Sequence, residues 1–214
     1  MNISFYFDPL CPWCWVTAAW IRQIQESKSL NVEWKPISLK LKNGDMGEPW
    51  DIKAENSLKI LRVVEHLREK GKDDRVGGFY KHIGTAIHRD GLLNEESPDV
   101  KQAIADAASS VGIDPDCAIK HLEDEDLTQR VQKSTDEAIA LAGDDIGTPI
   151  IAFKDSTGKD AALFGPVISE LPASLDEAEK LWDAYVTFAT KPYFWELKRT
   201  RTVQPDTRNT FKEN

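Results

Sequence analysis

The sequence predicts an α/β fold in which a strand–helix–strand unit and a later strand hairpin flank a long helical segment. Residues 3–7 and 32–39 are rich in β-forming side chains, and a helical pattern lies between them. Residues 54–142 show helical periodicity throughout. Strand patterns return after residue 147 and are followed by a last amphipathic stretch.

The N-terminal unit is predicted from the order of its patterns. The first strand, residues 3–7, ends at Asp8-Pro9, and a helix is predicted over residues 12–27. One face of this helix carries Val16, Ala19, Trp20 and Ile24. Because the strand of residues 32–39 follows within a few residues of the helix, we expect the two strands to be parallel.

The middle and the end of the chain are predicted from capping and turn signals. Ser97-Pro98 and Asp114-Pro115 each place a capping residue before a proline, which is typical of helix starts. The clearest helical period ends at Gly143, a residue typical of helix C-termini. Residues 148–153 and 161–168 then flank a polar turn and predict an antiparallel hairpin.

These elements predict how the chain is organised. A last helix is predicted to begin at Ser174, with Glu177 completing a capping box, and to run to about residue 191. Residues 1–50 and 144–191 are expected to form one domain, with residues 51–143 as a helical insertion. Residues 192–214 are polar and partly basic, and we expect a solvated C-terminal tail.

The composition of the 214 residues excludes several classes of protein. A formal net charge of −9 is a poor match for a protein that binds nucleic acid. The longest apolar stretch, residues 10–21, contains a proline and is too short to span a membrane. Three cysteines are too few for a disulfide scaffold, and no basic segment indicates a signal peptide. We therefore expect a cytoplasmic protein without membrane or nucleic-acid partners.

The sequence predicts a reactive site at Cys11-Pro12-Trp13-Cys14, where the first predicted strand ends and the first predicted helix begins. Unpaired backbone N–H groups and the helix dipole favour a thiolate at Cys11, and Pro12 suits the first helical turn. Cys14 lies one turn further on, close enough to form a disulfide and expected to be more buried. The same spacing supplies half of a zinc site, but no second CxxC or close histidine pair supplies the other half. We therefore predict redox chemistry and no metal.

The dipeptide Thr148-Pro149 precedes the third predicted strand. Proline cannot donate to a strand ladder, so a plain strand interpretation places it at an edge. A cis bond would instead turn the chain and expose the Thr148 backbone beside the thiols, although only about 5–6% of X–Pro bonds are cis. The residues alone leave both alternatives open.

The order of strand, CPxC at a helix start, helical insertion and Thr-Pro before a hairpin resembles the DsbA-type branch of the thioredoxin fold. The resemblance covers nearly the whole chain and implies a thioredoxin fold with a large all-helical insertion. It implies a cis Pro149 near the Cys11 sulfur and a Thr148 backbone that meets the substrate disulfide. The insertion is expected to cover the thiols, with hinges at residues 71–74 and at Gly77-Gly78.

A narrower resemblance lies in residues 7–15. The run Phe-Asp-Pro-Leu-Cys-Pro-Trp-Cys-Trp is similar to the Asp-x-x-Ser-Pro-Tyr run of 2-hydroxychromene-2-carboxylate isomerases and kappa-class glutathione transferases, whose serine binds a small thiol. It is more similar to actinobacterial mycothiol-dependent nitroreductases, which keep CPWC and show Ile-Gly-Thr-Pro and Phe-Gly-Pro, as here at residues 146–149 and 164–166. That family implies mycothiol as a co-substrate and no tightly bound cofactor.

Three departures from the wider fold bear on the mechanism. Thioredoxin and DsbA place a buried acid six positions before the first cysteine, where this chain has Phe5. Asp8 is either a proton acceptor or a helix cap. Trp13 replaces the histidine of DsbA, so a strongly oxidising potential is not expected. The charged pair that glutathione users often carry is absent at residues 166–169, which disfavours glutathione.

The side chains expected to bind the substrate or a sugar-type thiol are Asp8, Pro12, Trp13, Thr148, Pro149 and Ser169. Cys117 and His121, four apart on a predicted helix, could share a metal or redox role, but a small apolar role is favoured for the cysteine. Trp50, Phe79 and Tyr80 are interpreted as residues that pack in the core. The functional alternative is that they form an aromatic slot beside Trp13.

The leading hypothesis is a cytoplasmic thiol–disulfide oxidoreductase that uses a small thiol, mycothiol by resemblance. Cys11 would attack a mixed disulfide or, with Cys14, reduce an electrophile such as a nitroaromatic. A mycoredoxin- or thioredoxin-like protein is the expected reductant. The alternative is a DsbA-type protein disulfide oxidoreductase, and a third hypothesis is a non-catalytic thiol- or metal-binding module.

Overall fold

A central mixed sheet organises the computed structural model, which describes residues 1–94 and 99–210. Its strands are β1 (Asn2–Phe7), β2 (Asn31–Pro36), β3 (Ile150–Lys154) and β4 (Asp160–Phe164). They lie in the order β2–β1–β3–β4. The β1 and β2 strands are parallel, while β3 runs antiparallel to both β1 and β4. The predicted helix start at Ser97-Pro98 lies outside the described residues.

Helices connect and cover these strands. Helix α1 (Pro12–Ile24) joins β1 to β2, and α8 (Leu175–Ala189) follows β4. Between β2 and β3 lie α2 (Leu39–Asn43), α3 (Trp50–Glu69), α4 (Asp73–His88), α5 (Val100–Ser110), α6 (Pro115–Ile119) and α7 (Glu125–Ala142). The α/β class and the thioredoxin fold with its helical insertion are therefore confirmed. The exact division into domains stays a prediction.

The two faces of the sheet are covered by different helices. On one face, Trp20 of α1 packs against Trp182 of α8 with ring centroids 6.0 Å apart. Its indole N–H donates to the Ala178 carbonyl at 3.1 Å. On the other face, Tyr6 and Ile150 pack with Ala138 of α7. This two-sided burial explains why β1 is mostly apolar in sequence rather than strictly alternating.

The structure corrects two local expectations. Residues predicted as the end of the second strand instead lead into α2, because the Ser38 side chain caps this helix by accepting from the Leu41 N–H. The expected hinge at Gly77-Gly78 is wrong, since both glycines lie inside α4. A Cβ at Gly77 would come within 2.7 Å of the Trp34 indole nitrogen, so the glycine permits close packing.

The segment of residues 192–210 contains no helix or strand. Tyr193 and Trp195 are 75% and 83% exposed, as a solvated tail would be. The far end packs on the protein, however, because the Trp15 indole N–H donates to the Thr207 carbonyl and the Thr207 hydroxyl donates to the His88 carbonyl. Within the described ranges, the helices are all too short or too polar to cross a membrane.

Candidate active site

Cys11 lies at the junction where β1 passes into α1. Its extended backbone makes it the N-cap residue of α1, and Pro12 takes the first helical position. The Cys11 sulfur accepts the Cys14 N–H at 3.4 Å, and its thiol donates to the Thr148 carbonyl across 3.7 Å. Cys11 keeps 8% of its surface exposed, whereas Cys14 is fully buried. Of the two cysteines, only Cys11 keeps any exposed surface.

The two thiols have opposite acidities. A hydrogen bond from the Cys14 side chain is the main cause that lowers the pKa of Cys11, and it outweighs the opposing effect of burial. Burial raises the pKa of Cys14 well above its ordinary value, and the neighbouring Cys11 raises it further. Cys11 therefore ionises first, with Cys14 as its protonated partner.

Thr148 and Pro149 lie directly beside this pair, at the start of β3. The peptide bond between them is cis, as the family resemblance implies. Thr148 is buried, and the Pro149 carbonyl accepts the Gly165 N–H at 2.8 Å. This bond ties the start of β3 to the end of β4, so the Thr148 carbonyl is held towards the Cys11 sulfur.

Asp8 is a buried carboxylate in the loop between β1 and α1. It accepts the backbone N–H groups of Leu10 at 2.8 Å and Leu39 at 2.6 Å, and the Ser57 hydroxyl. Burial raises its pKa, although these hydrogen bonds oppose the rise. Asp8 does not cap α1, because Cys11 occupies that position. It instead satisfies the first N–H of α2, and its role as a proton acceptor stays a hypothesis.

The helical insertion supports the loop that precedes Cys11. From α3, the Ser57 hydroxyl accepts the Leu10 N–H at 3.2 Å. From α4, the ring of His88 hydrogen-bonds through Nε2 to the Pro9 carbonyl at 2.9 Å. Burial lowers the pKa of His88 to about 4, so this ring is neutral and donates its Nε2 proton. Both helices therefore position the chain that carries the nucleophile.

The remaining predicted residues occupy different surroundings. Trp13 is partly exposed, and the Arg201 guanidinium lies 5.1 Å from the centre of its ring. The Ser169 carbonyl accepts the Asp206 N–H at 2.6 Å, but in the described ranges no hydrogen bond links Ser169 to Cys11 or Cys14. Phe79 and Tyr80 are fully buried core residues, so the packing interpretation favoured for them is confirmed, whereas Trp50 is 51% exposed.

The C-terminal segment contributes residues that the sequence analysis missed. Arg201 faces Trp13, and Thr207 bridges Trp15 of α1 and His88 of α4. A polar segment without periodicity carries no signal of such contacts. The one clue was Trp15, because a buried indole N–H needs an acceptor that the local helix cannot supply.

Comparison with known proteins identifies the family. A family model described as mycothiol-dependent nitroreductase Rv2466c matches residues 10–199. The chain belongs to the Rv2466c-like family. The family that the sequence resembles is therefore confirmed, and the chain is a thiol-dependent oxidoreductase.

One curated protein and several solved structures are also similar to this chain. The uncharacterised protein Rv2286c of Mycobacterium tuberculosis is 27% identical over 205 residues, which cover 94% of this chain and 83% of the relative. The cytosolic disulfide reductase DsbM from Pseudomonas aeruginosa has a TM-score of 0.57 and 14% identity over 87% of this chain and 99% of its own. A 2-hydroxychromene-2-carboxylate isomerase has a TM-score of 0.51 and 20% identity over 86% and 94%. The two structures show the shared fold.

Proposed function

We propose that this protein is a mycothiol-dependent dithiol oxidoreductase that reduces mixed disulfides or electrophilic acceptors such as nitroaromatics. Cys11 is the nucleophile and Cys14 the resolving thiol. The observation that carries the proposal is the asymmetry within one helical turn, where Cys11 has a lowered pKa and Cys14, fully buried, has a raised one. A family described by mycothiol-dependent nitroreduction supports the choice of small thiol.

The proposed cycle exchanges two electrons. The Cys11 thiolate attacks one sulfur of a mixed disulfide, a new disulfide forms at Cys11, and the other sulfur leaves as a thiolate. Cys14 then loses its proton and attacks the Cys11 sulfur, which releases the second thiol and closes the Cys11–Cys14 disulfide. With a nitro group as acceptor, the dithiol supplies two electrons and two protons, giving a nitroso group and water. Two molecules of mycothiol restore the dithiol and become one disulfide.

Asp8 is the proposed acceptor of the proton that leaves Cys14. Its raised pKa brings the carboxylate closer to the acidity of a thiol, which reduces the energetic cost of the transfer. Its charge also opposes ionisation of Cys11, so protonating Asp8 favours return of the Cys11 thiolate. The buried site limits competing exchange with water.

The small thiol is proposed to dock between the Thr148 backbone and the partly exposed Trp13. A sugar-type thiol presents hydroxyl groups, and polar backbone and hydroxyl groups such as those of Thr148 and Ser169 suit them. The Thr148 carbonyl, 3.7 Å from the Cys11 sulfur, supports this placement. Pro12 and Pro149 would line the slot beside the sulfur. The cytoplasm stays the proposed compartment, since small thiols keep it reducing.

The first prediction tests the thiol with a trapped adduct. In Cys14→Ser the resolving sulfur is gone, so Cys11 should accumulate a mixed disulfide. The protein is exposed to equal concentrations of oxidised mycothiol and oxidised glutathione, and intact mass is measured. We expect the mycothiol adduct to exceed the glutathione adduct at least tenfold, because each unpaired buried polar group costs about 1–3 kcal/mol. Cys11→Ser/Cys14→Ser is the control for attachment at Cys117.

A predominant glutathione adduct would overturn the choice of thiol. Absence of any adduct on Cys11 would reject the small-thiol mechanism and favour the DsbA-type alternative, in which the exposed cysteines of a protein are the substrate. A reduced protein that exchanges neither with a small disulfide nor with a disulfide of a protein substrate would leave the non-catalytic module as the explanation.

A further inference from the structure

A second group of nucleophilic side chains lies in the helical insertion. His66 is on α3, Cys117 is on α6, and His121 lies two residues beyond the end of α6. The ligand atoms of these three residues all lie within 4.8 Å of one another. Cys117 takes no part in the proposed dithiol cycle, so this group requires its own explanation.

The spacing within the group matches that of a tetrahedral zinc site. The Cys117 sulfur is 3.5 Å from Nε2 of His66. Zinc binds sulfur at about 2.3 Å and imidazole nitrogen at about 2.0–2.1 Å, so the two donors of a tetrahedral site lie about 3.6 Å apart. The rings of His66 and His121 are stacked, with centroids 4.0 Å apart. Because the ligand atoms of all three residues lie within 4.8 Å of one another, both imidazoles are within reach of one ion beside the sulfur.

The carboxylate of Asp124 orients His121, in the way that carboxylates commonly orient histidines that bind a metal. Nδ1 of His121 lies 3.0 Å from Oδ2 of Asp124. A proton on Nδ1 donated to this carboxylate leaves the Nε2 lone pair free for a metal, which is the common arrangement around zinc. The charges also balance, because one thiolate and the Asp124 carboxylate neutralise a divalent ion.

The burial of the group allows both firm binding and entry of an ion. His66 is only 5% exposed, so it supplies a fixed inner ligand. The side chain of His121 is 27% exposed, and Cys117 is half-buried. An ion can therefore enter from the surface and keep one water as its fourth ligand.

We propose that His66, Cys117 and His121 form a zinc-binding site that joins α3 to the segment around α6. Binding exchanges the proton of the Cys117 thiol, released to solvent, for a zinc–sulfur bond, and no oxidant or reductant is needed. The site is independent of Cys11 and Cys14. Its role is to cross-link two helices of the insertion and to protect Cys117 from oxidation.

The test uses Co²⁺ as a spectroscopic probe in the full-length Cys11→Ser/Cys14→Ser protein, which removes the other thiols. We expect one equivalent of Co²⁺ to give the thiolate-to-metal charge-transfer band of a tetrahedral site, and Zn²⁺ to abolish it by displacement. Adding Cys117→Ser should remove the band. Adding His121→Gln should weaken binding at least tenfold, while His82→Gln, at an exposed position on α4, should leave it unchanged.

A band that persists without Cys117, or Co²⁺ bound with no charge-transfer band, would overturn the site. A second measurement does not depend on the double variant: zinc stoichiometry by competition with a chelating dye should fall by one equivalent from wild type to Cys117→Ser. An unchanged stoichiometry would contradict the proposal. Because the CPWC motif is intact in this arm, failure here leaves the proposed dithiol function untouched.

Discussion

The two cysteines of the CPWC turn behave differently because only one of them precedes the first helical residue. Cys11, as the N-cap, accepts hydrogen bonds from the backbone and side chain of Cys14. Cys14 is enclosed inside the fold, where burial disfavours its charged form. The same geometry that makes Cys11 a nucleophile therefore holds Cys14 protonated until an adduct forms.

The second prediction concerns the acidity of Cys11. Alkylation of the reduced protein should show an apparent pKa for Cys11 below the free-cysteine value of about 8.5, because the thiolate accepts two hydrogen bonds. The rate at each residue is measured by peptide mass after a pulse of iodoacetamide from pH 5 to 10. Cys14 should react more slowly at every pH. If Cys11 titrates like a free thiol, or Cys14 reacts first, the proposed division of roles is wrong.

For single residues, the sequence predicts the chemistry of the CPWC turn but does not predict hydrogen-bond partners that are distant in the chain. A CxxC at a helix start places its first cysteine beside unpaired N–H groups, which a short motif is enough to predict. The partners of Asp8 could not be predicted, since Leu39 and Ser57 are 31 and 49 positions away in the chain. The sequence alone left Asp8 as either a proton acceptor or a helix cap. Its tertiary hydrogen bonds exclude the role of a cap for α1.

Among the elements, α4 approaches the sheet and α1 more closely than an ordinary helix would. Its glycines allow this approach, because a Cβ at Gly84 would lie 2.3 Å from the Trp15 ring. Tyr80 stacks on Phe7 of β1 with ring centroids 3.9 Å apart. The sequence alone suggested hinges for such glycines, since a glycine pattern cannot show which large side chain will pack against it.

The third prediction tests this close packing. Gly84→Ala should lower the free energy of unfolding by about 1–3 kcal/mol, because the added methyl forces the buried Trp15 ring or α4 to move. Gly78→Ala is the matched control on the same helix, since its added Cβ would meet a single side-chain atom, Cγ1 of the half-buried Val111 at 2.8 Å, which a shift of that side chain relieves, and the substitution gains helix propensity. Urea unfolding of both variants measures the difference. Equal stabilities would show that α4 does not depend on this contact.

Between α4 and the loop before Cys11, one buried histidine makes stability depend on pH. His88 has an ordinary pKa near 6.5 when unfolded and about 4 in the folded protein. Between these values only the unfolded chain binds the proton, so the stability from neutral His88 is present above about pH 6.5 and lost as pH falls towards 4. The folded protein therefore weakens on acidification.

The fourth prediction isolates this effect. In wild type, the free energy of unfolding should fall between pH 7 and pH 4.5, and His88→Gln should reduce that fall by roughly 1–3 kcal/mol. Glutamine retains an N–H donor for the Pro9 carbonyl but does not titrate. Urea unfolding at several pH values gives both curves, and the difference between them cancels the contribution of Asp8. Parallel curves would mean that folding does not lower the pKa of His88.

Across the whole molecule, three separate parts of the chain meet around the short loop that leads to Cys11. Ser57 and His88 come from the helical insertion, and Thr207 comes from the C-terminal segment. The order of elements was predictable because strand, helix and hairpin patterns are local. The return of the C-terminal segment was not predictable, since its contacts use backbone groups, a single hydroxyl and one arginine side chain, which leave no periodic pattern in a sequence.

The last prediction follows from that return. A chain ending at residue 199 loses the Arg201 contact on Trp13, the Asp206 bond to Ser169 and the two hydrogen bonds of Thr207. Cys11 should then be alkylated several-fold faster at pH values above its pKa, because its surroundings are more open. The hydrogen bonds from Cys14 that lower the pKa of Cys11 should persist, so a change in its apparent pKa should be a small decrease caused by reduced burial.

The full-length Arg201→Ala variant separates the two contributions of the segment. It removes one cation–π contact, worth about 0.5–1 kcal/mol at exposed sites, and leaves Thr207 in place. We expect a small increase in the alkylation rate for this variant and the full increase only for the truncated chain. If the truncated chain reacts at the wild-type rate, the segment does not restrict access to Cys11. If its apparent pKa instead rises, the segment shapes the electrostatics of the thiol.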